Sequence, residues 1–249
     1  MNTQTNNRKK IMYMVTFAIL LAIEILFAFT VLGSINFTQT VVATLAMLPI
    51  IITAILMGPI AGGLMGFFAG TFSFIVWSMM PPNPLIAFAF TPFYSTGNIH
   101  GNIWSVVICF VPRIMVGIVT GALFRFFSKV FANHKKADVL PYMLSGIIGS
   151  LVNTFGFIFG VYFFFRSQMA DALTIAITAV VGVLITVFLT NGVPELIIAG
   201  LVAYSVCKPI RKYLTKSEIS IFSKKTEGVV VAISSIVSIL IYVIGAIVN

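Results

Sequence analysis

Residues 103–124 read IWSVVICFVPRIMVGIVTGALF, an apolar run with a single ionisable side chain of permanent charge, Arg113, near its middle. As a helix the run is about 33 Å long at 1.5 Å per residue, enough to cross the hydrocarbon core of a bilayer. A cation at that depth costs about 2.5–3.5 kcal/mol on insertion scales, and it is kept only where a cavity or an anionic partner receives it. The run therefore reads as a transmembrane helix, and Arg113 as the first candidate for a ligand contact.

The rest of the chain agrees with that class. Of 249 residues, 59% are apolar and 8% charged, with a mean hydropathy of +1.10. Hydropathy and breaker residues predict spans at 11–32, 40–57, 59–79, 103–127, 139–165 and 173–206, with another at 228–248. Short connections leave no soluble domain. The expected organisation is a six-helix membrane domain over 1–211, followed by a basic amphipathic linker and a seventh transmembrane helix over 212–249. The apolar stretch behind the basic N-terminus is too long for a signal peptide and lacks a small-residue cleavage site, so it is expected to stay as an anchor.

Thirteen of the fifteen Lys and Arg residues fall on one side of these spans: near the N-terminus, between the fourth and fifth spans, and after the sixth. Arg166 lies opposite and Arg113 lies within. The positive-inside rule then predicts a plasma-membrane protein with a cytoplasmic N-terminus and, across an odd seventh span, an external Asn249. The +9 charge is a topology signal, with attraction to anionic lipid as its further consequence. It requires no nucleic acid, because no aromatic-interleaved basic patch exists outside these connections.

Several residues are out of place in lipid. Glu24 lies mid-span in the first helix, where a lone carboxylate needs a proton or a partner; a structural contact and a ligand role both suit it. Asn153 in SLVNTFGF suits a ligand contact or an interhelical hydrogen bond. Asn191 and Glu195 belong to TNGVPE, where Gly192 and Pro194 are expected to loosen the sixth span and expose backbone groups to a cavity. Pro112 is expected to do the same beside Arg113. The external connection 81–102, PPNPLIAFAFTPFYSTGNIHGN, has four prolines and no acid or base other than His100, so it is expected to fold over the mouth of the bundle as a lid. Trp77 and Trp104 flank it; both suit interfacial anchors, and Trp77 is also placed to stack on a ligand. Small residues recur every fourth position (Gly62, Gly66, Gly70; Gly117, Gly121; Gly156, Gly160; Ala18, Ala22), the spacing of close helix packing.

Catalysis finds little support. His100 and His134 sit in connections, no His/Glu metal spacing occurs, and no phosphate loop or cofactor motif is present. Cys109 and Cys207 lie in apolar surroundings in opposite halves of the chain and are expected to be reduced and packed. A self-sufficient secondary carrier using Glu24 or Glu195 as a proton site is the rival class; such carriers are commonly built from two similar halves, and no internal repeat is found.

Taken in order, Ala18-Ile-Leu-Leu-Ala22, MGPIAGGLMGFFAG (57–70), FYSTGNIHGNIWS (93–105), VPRIMVG (111–117) and TNGVPE (190–195) resemble the membrane-embedded substrate-binding subunits, or S components, of energy-coupling factor vitamin transporters. The resemblance covers residues 11–211. It implies an all-α, six-helix S-component-like bundle to which residues 212–249 add a helix. It also implies three partners, a transmembrane coupling protein and two cytoplasmic ATPases, with the coupling protein meeting the Ala18/Ala22 face. The Trp77, Arg113 and Asn153 pattern looks most like the pantothenate-specific members. That implies an anionic ligand whose carboxylate meets Arg113, with Asn153 on its polar groups, Trp77 on its aliphatic part, and Tyr94 and His100 closing from the lid. Cobalamin, riboflavin, folate and a thiamine precursor stay open, because one arginine selects an anion without naming it.

Overall fold

The computed structural model describes residues 2–30, 33–36, 42–96, 99–133, 138–214 and 224–248; His134 and most of the connection at 212–223 lie outside them. Helix α1 (Asn2–Phe29) leads into a small antiparallel hairpin, β1 (Ser34–Asn36) on β2 (Val42–Thr44). A single 3-10 turn then opens α2 (Leu48–Met57), which is joined to α3 (Pro59–Met79) through Gly58 at φ 100°. Pro49 and Pro59 stand in the first turns of their helices, where the missing N–H would have had no partner anyway.

The predicted second span at 40–57 is shorter than expected. Residues 42–44 pair in the hairpin, and α2 has ten residues, too few to cross a bilayer. Its side chains are buried almost all round, including Ile50, Ile51, Thr53, Ala54 and Met57, as befits a helix packed inside the bundle.

The connection at 81–102 contains a 3-10 helix, Pro84–Ala89, and the hairpin β3 (Ser95–Thr96) on β4 (Ile99–His100). Helix α4 (Ile103–Val130) follows, opened by a reciprocal cap in which Asn102 accepts from the backbone while Ser105 accepts from the Asn102 N–H. Pro112 does not break α4, which runs on through it. Helix α5 (Leu140–Phe164) passes to a short α6 (Arg166–Leu173) ending at Thr174 in the left-handed region, φ 53°. The last part of the family-like region is one long element: α7 (Val180–Val187), a π-helical turn (Phe188–Gly192) and α8 (Val193–Leu214). The TNGVPE loosening is thus a π-turn within a continuous helix.

Glycines set how closely α3, α4 and α5 approach. A Cβ on Gly62 would stand 2.6 Å from the Gly117 carbonyl oxygen, and one on Gly117 would collide with the Gly62 carbonyl. One turn further, Gly66 faces the Arg113 carbonyl, and across the next interface Gly156 receives Pro112 while Gly160 receives Ile108. The four-residue spacing therefore builds a backbone-to-backbone crossing of α3 on α4 and a crossing of α4 on α5 in which side chains seat on glycines, the close packing that replaces hydrophobic driving force in lipid.

Two buried clusters result. One joins Tyr13 and Leu20 of α1 to α2, α3 and the Ala199–Ala203–Cys207 face of α8; the other joins Phe88 and Ala89 of the connection 81–102 to Ile108, Val161, Phe164 and α6. Cys109 and Cys207 are buried and unbridged. The outer surface is apolar, with Ile11, Met14, Ile19, Leu26, Ile233, Ile236 and Leu240 all exposed, as lipid requires.

Helix α9 (Lys224–Val248) runs antiparallel to α4 along the outside of the bundle. At one end Arg125 of α4 pairs with the buried Glu227 over Gly58. At the other, Tyr242 stacks on Phe164 at 5.5 Å and donates to the Gly156 carbonyl at 2.9 Å. Six described helices are long and apolar enough to cross a membrane, α9 among them, with α2 as the short apolar seventh; the chain is an all-α, multi-pass membrane protein.

Candidate functional site

A cavity of about 680 Å³ opens among α1, α3, α4, α5, the α7–α8 element and the connection 81–102. Its walls are apolar, with Phe27, Val76, Ile86, Phe157 and Val183 among them, and its polar groups converge from different elements. The geometry is that of a small-molecule site: a mostly apolar concavity with a few placed donors and acceptors.

Arg113 is half-buried in its wall. One terminal nitrogen donates to the Cys109 carbonyl at 2.5 Å, which tethers the side chain along its own helix. Among the described residues, the ion pairs are Arg125 with Glu227 and Lys208 with Asp138, so neither Glu24 nor Glu195 pairs with Arg113. A guanidinium has five N–H donors in a planar fork, and most of those on Arg113 stay available to an anion.

Five of the seven predicted binding residues come together here: Trp77 from α3, Arg113 from α4, Asn153 from α5, Asn191 from the π-turn and Glu195 from the first turn of α8. The π-turn brings Asn191 and Thr190 to the same wall as Thr186, while a Cβ on Gly192 would stand 3.0 Å from the Thr154 methyl of α5. Glu195 is buried at that junction.

Tyr94 and His100 are not brought to this cavity. They flank and form the β3–β4 hairpin, where His100 pairs with Ser95 and is exposed. That hairpin lies further along the connection than the part that reaches the cavity, which is Pro82, Asn83, Leu85, Ile86 and Phe90. The connection does lean over the mouth as expected, held by Ser105 donating to the Phe88 carbonyl at 2.6 Å and by the Ser78 and Thr91 hydroxyls 2.6 Å apart.

Phe90 is the residue that sequence reading missed. Its ring stacks on Trp77 at 4.4 Å and 22° and on Phe157 at 5.3 Å and 5°. The guanidinium carbon of Arg113 lies 5.7 Å from its centroid, within cation–π range. One face of Trp77 is therefore covered by Phe90. The run IAFAF offered an aromatic in the lid, but nothing in it distinguishes Phe90 from Phe88, which is buried in the second apolar cluster instead.

Ala18 and Ala22 are exposed on α1, away from the cavity. Glu24, in contrast, is 1% exposed, on the side of α1 that turns inward with Leu20 and Phe27.

Comparison with known proteins adds two findings. The family described as ECF transporter, substrate-specific component, matches residues 12–207, which ends before α9. The pantothenic acid transporter PanT of Lactococcus lactis subsp. cremoris (strain MG1363) is 29% identical over 170 residues, covering 68% of this chain and 78% of that protein.

Proposed function

From its membership of the ECF transporter substrate-specific components, we propose that the chain is the capture subunit for pantothenate. It binds the vitamin from outside and delivers it inward when coupled to an ATP-hydrolysing module. The observation that carries this reading is a guanidinium held without an ion-pair partner, among the described residues, in the wall of an apolar cavity large enough for a small acid. An unpaired buried cation is costly, and a ligand carboxylate relieves the cost with charge-assisted, bidentate hydrogen bonds. The similarity to a pantothenic acid transporter supports that choice among vitamin acids.

In this reading Arg113 takes the carboxylate, Asn153 and Asn191 take amide and hydroxyl groups, and the apolar wall beside Trp77 takes the aliphatic part. Glu195 accepts from a ligand hydroxyl. The segment 82–90 is the gate, because it supplies one cavity wall while belonging to the external connection. With no phosphate loop of its own, the chain draws energy from two cytoplasmic ATPases through a transmembrane coupling protein. The exposed Ala18/Ala22 face of α1 is where that coupling protein packs, with the N-terminus on the cytoplasmic side.

The test is binding of radiolabelled pantothenate to purified protein, with unlabelled riboflavin, folate, cobalamin and thiamine precursors as competitors. Saturable binding displaced by pantothenate alone is expected. Displacement by another vitamin reassigns the ligand, and undiminished binding in Arg113→Ala removes the carboxylate assignment.

A further inference from the structure

A second concavity, of about 480 Å³, opens where the start of α5 meets the end of α8, and the capture reading makes no use of it. Tyr142 of α5 and Lys208, Pro209, Arg211 and Lys212 of α8 line it. Lys208 follows Glu195 by thirteen residues of one helix, about 20 Å at 1.5 Å per residue. The two concavities share no lining residue.

Its cations are held in place. The Lys208 ammonium lies 4.9 Å from the centre of the Tyr204 ring, and the Arg211 guanidinium carbon 4.5 Å from that of Phe124. Tyr142 joins the two rings, 4.9 Å from Phe124 and 6.4 Å from Tyr204 between centroids. An aromatic floor therefore orders two cations in advance, which lowers the entropy that binding an anion must overcome. Asp138 pairs with Lys208 at 2.9 Å, but one carboxylate does not neutralise three cations. The described residues leave the concavity positive, and Tyr142 adds a hydroxyl donor.

The surface next to the cations distinguishes a lipid headgroup from a dissolved anion. At about 100° per residue, Ile197, Leu201, Ser205, Lys208 and Lys212 fall within an arc of about 80° on α8. Ile197 and Leu201 are 58% and 51% exposed. One face of a helix long and apolar enough to cross a membrane thus carries an open apolar stripe that ends at the basic concavity. A molecule that fits both parts has a hydrocarbon chain and an anionic head.

We infer that this concavity is a binding site for an anionic phospholipid, with the phosphodiester among Lys208, Arg211 and Lys212 and an acyl chain along Ile197 and Leu201. The planar guanidinium suits two phosphate oxygens at once, and the ammonium groups add point charges. Because none of these residues lines the cavity of Arg113, the site is independent of which vitamin the chain carries.

The test measures the thermal midpoint of the full chain in a non-ionic detergent, titrated at fixed ionic strength with phosphatidylglycerol, with phosphatidylcholine of the same acyl chains, and with inorganic phosphate. A saturable rise is expected for phosphatidylglycerol alone. In the combined Lys208→Gln, Arg211→Gln and Lys212→Gln variant the half-saturating concentration should rise about a hundredfold, about fivefold for each cation removed. The combined Arg8→Gln, Lys10→Gln and Lys225→Gln variant loses the same charge from α1 and α9, outside the concavity, and should respond like wild type. An equal response to phosphatidylcholine overturns the inference, as does equal loss in the two variants, which would mean a diffuse field. Saturation by inorganic phosphate at the same concentrations overturns the lipid assignment. Should the first variant not fold, Lys212→Glu is compared with Lys225→Glu, both at exposed side chains; only the former should weaken the response, and equal effects overturn the site.

Discussion

The Arg113 guanidinium carbon stands 5.7 Å from the centre of the Phe90 ring, and Phe90 is clasped between Trp77 and Phe157. A cation from α4 thus touches an aromatic from the connection 81–102, so in the proposed reading the group that meets the anion and the segment that admits it are in physical contact. Replacing Phe90 by Ala removes two ring stacks and a cation–π contact, together at least about 1–2 kcal/mol. Pantothenate affinity should fall by about one order of magnitude, with Phe90→Tyr close to wild type in equilibrium binding. The same Phe90→Ala change should shift the emission of Trp77, measured in a Trp104→Phe background.

Arg113→Ala should reduce labelled pantothenate binding by about a hundredfold or more, the loss of a charge-assisted pair in low dielectric. Arg113→Lys should recover only part of this, because a lysine offers a point charge where arginine offers a planar fork. Equal affinity for the Lys variant and wild type would show that the fork has no role.

The α3–α4 crossing has no room for a side chain. Gly117→Ala drives a Cβ into the Gly62 carbonyl, and Gly62→Ala meets Gly117. Each should cost about 1–3 kcal/mol, read as a lowered thermal midpoint in detergent. Gly182, where a Cβ would meet nothing within 4 Å, should tolerate Ala and serves as the control.

Helix α9 is held at one end by Arg125 and Glu227, the carboxylate buried and the guanidinium about one-third exposed. Glu227→Ala leaves Arg125 beside Gly58 without its carboxylate partner and should lower stability by about 2 kcal/mol, less than for a fully buried pair because solvent reaches the arginine. The exchanged pair Arg125→Glu with Glu227→Arg should regain part of the loss. A thermal melt in which the exchange is no better than the sum of its single changes would remove the ion pair as the fastening.

Ala18→Trp and Ala22→Trp project from the exposed face of α1 and leave the cavity wall untouched. Binding of pantothenate to the isolated chain should be unchanged, while ATP-dependent uptake by the assembled transporter should drop to background. Loss of binding in either variant would mean that this face is structural.

The membrane class, the order of the apolar helices and the depth of Arg113 were all legible from the chain, because hydropathy is a local property and lipid punishes every exception in the same way. The glycine spacings were legible too, since four-residue periodicity on a helix has one geometric meaning. Less was legible wherever an apolar segment had two uses. Residues 40–44 and α2 looked like one span, yet 42–44 are part of a hairpin and α2 is an interior helix; hydropathy cannot tell burial in protein from burial in lipid. Pro112 promised a disrupted helix, but α4 continues through it, while the loosening expected at TNGVPE takes the form of a π-turn at Phe188–Gly192.

The contents of the site divide the same way. Sequence alone selected Trp77, Arg113, Asn153, Asn191 and Glu195, because a polar or large aromatic side chain in an apolar span is conspicuous without any knowledge of its neighbours. Only the tertiary structure set Phe90 between Trp77 and Phe157, left Tyr94 and His100 on a hairpin away from the cavity, and buried Glu24 on the inward side of α1. Those outcomes depend on which faces of distant helices are pressed together. That is decided by glycine contacts, to backbone between α3 and α4 and to side chains between α4 and α5, a relation among residues roughly fifty apart in the chain that no local pattern encodes.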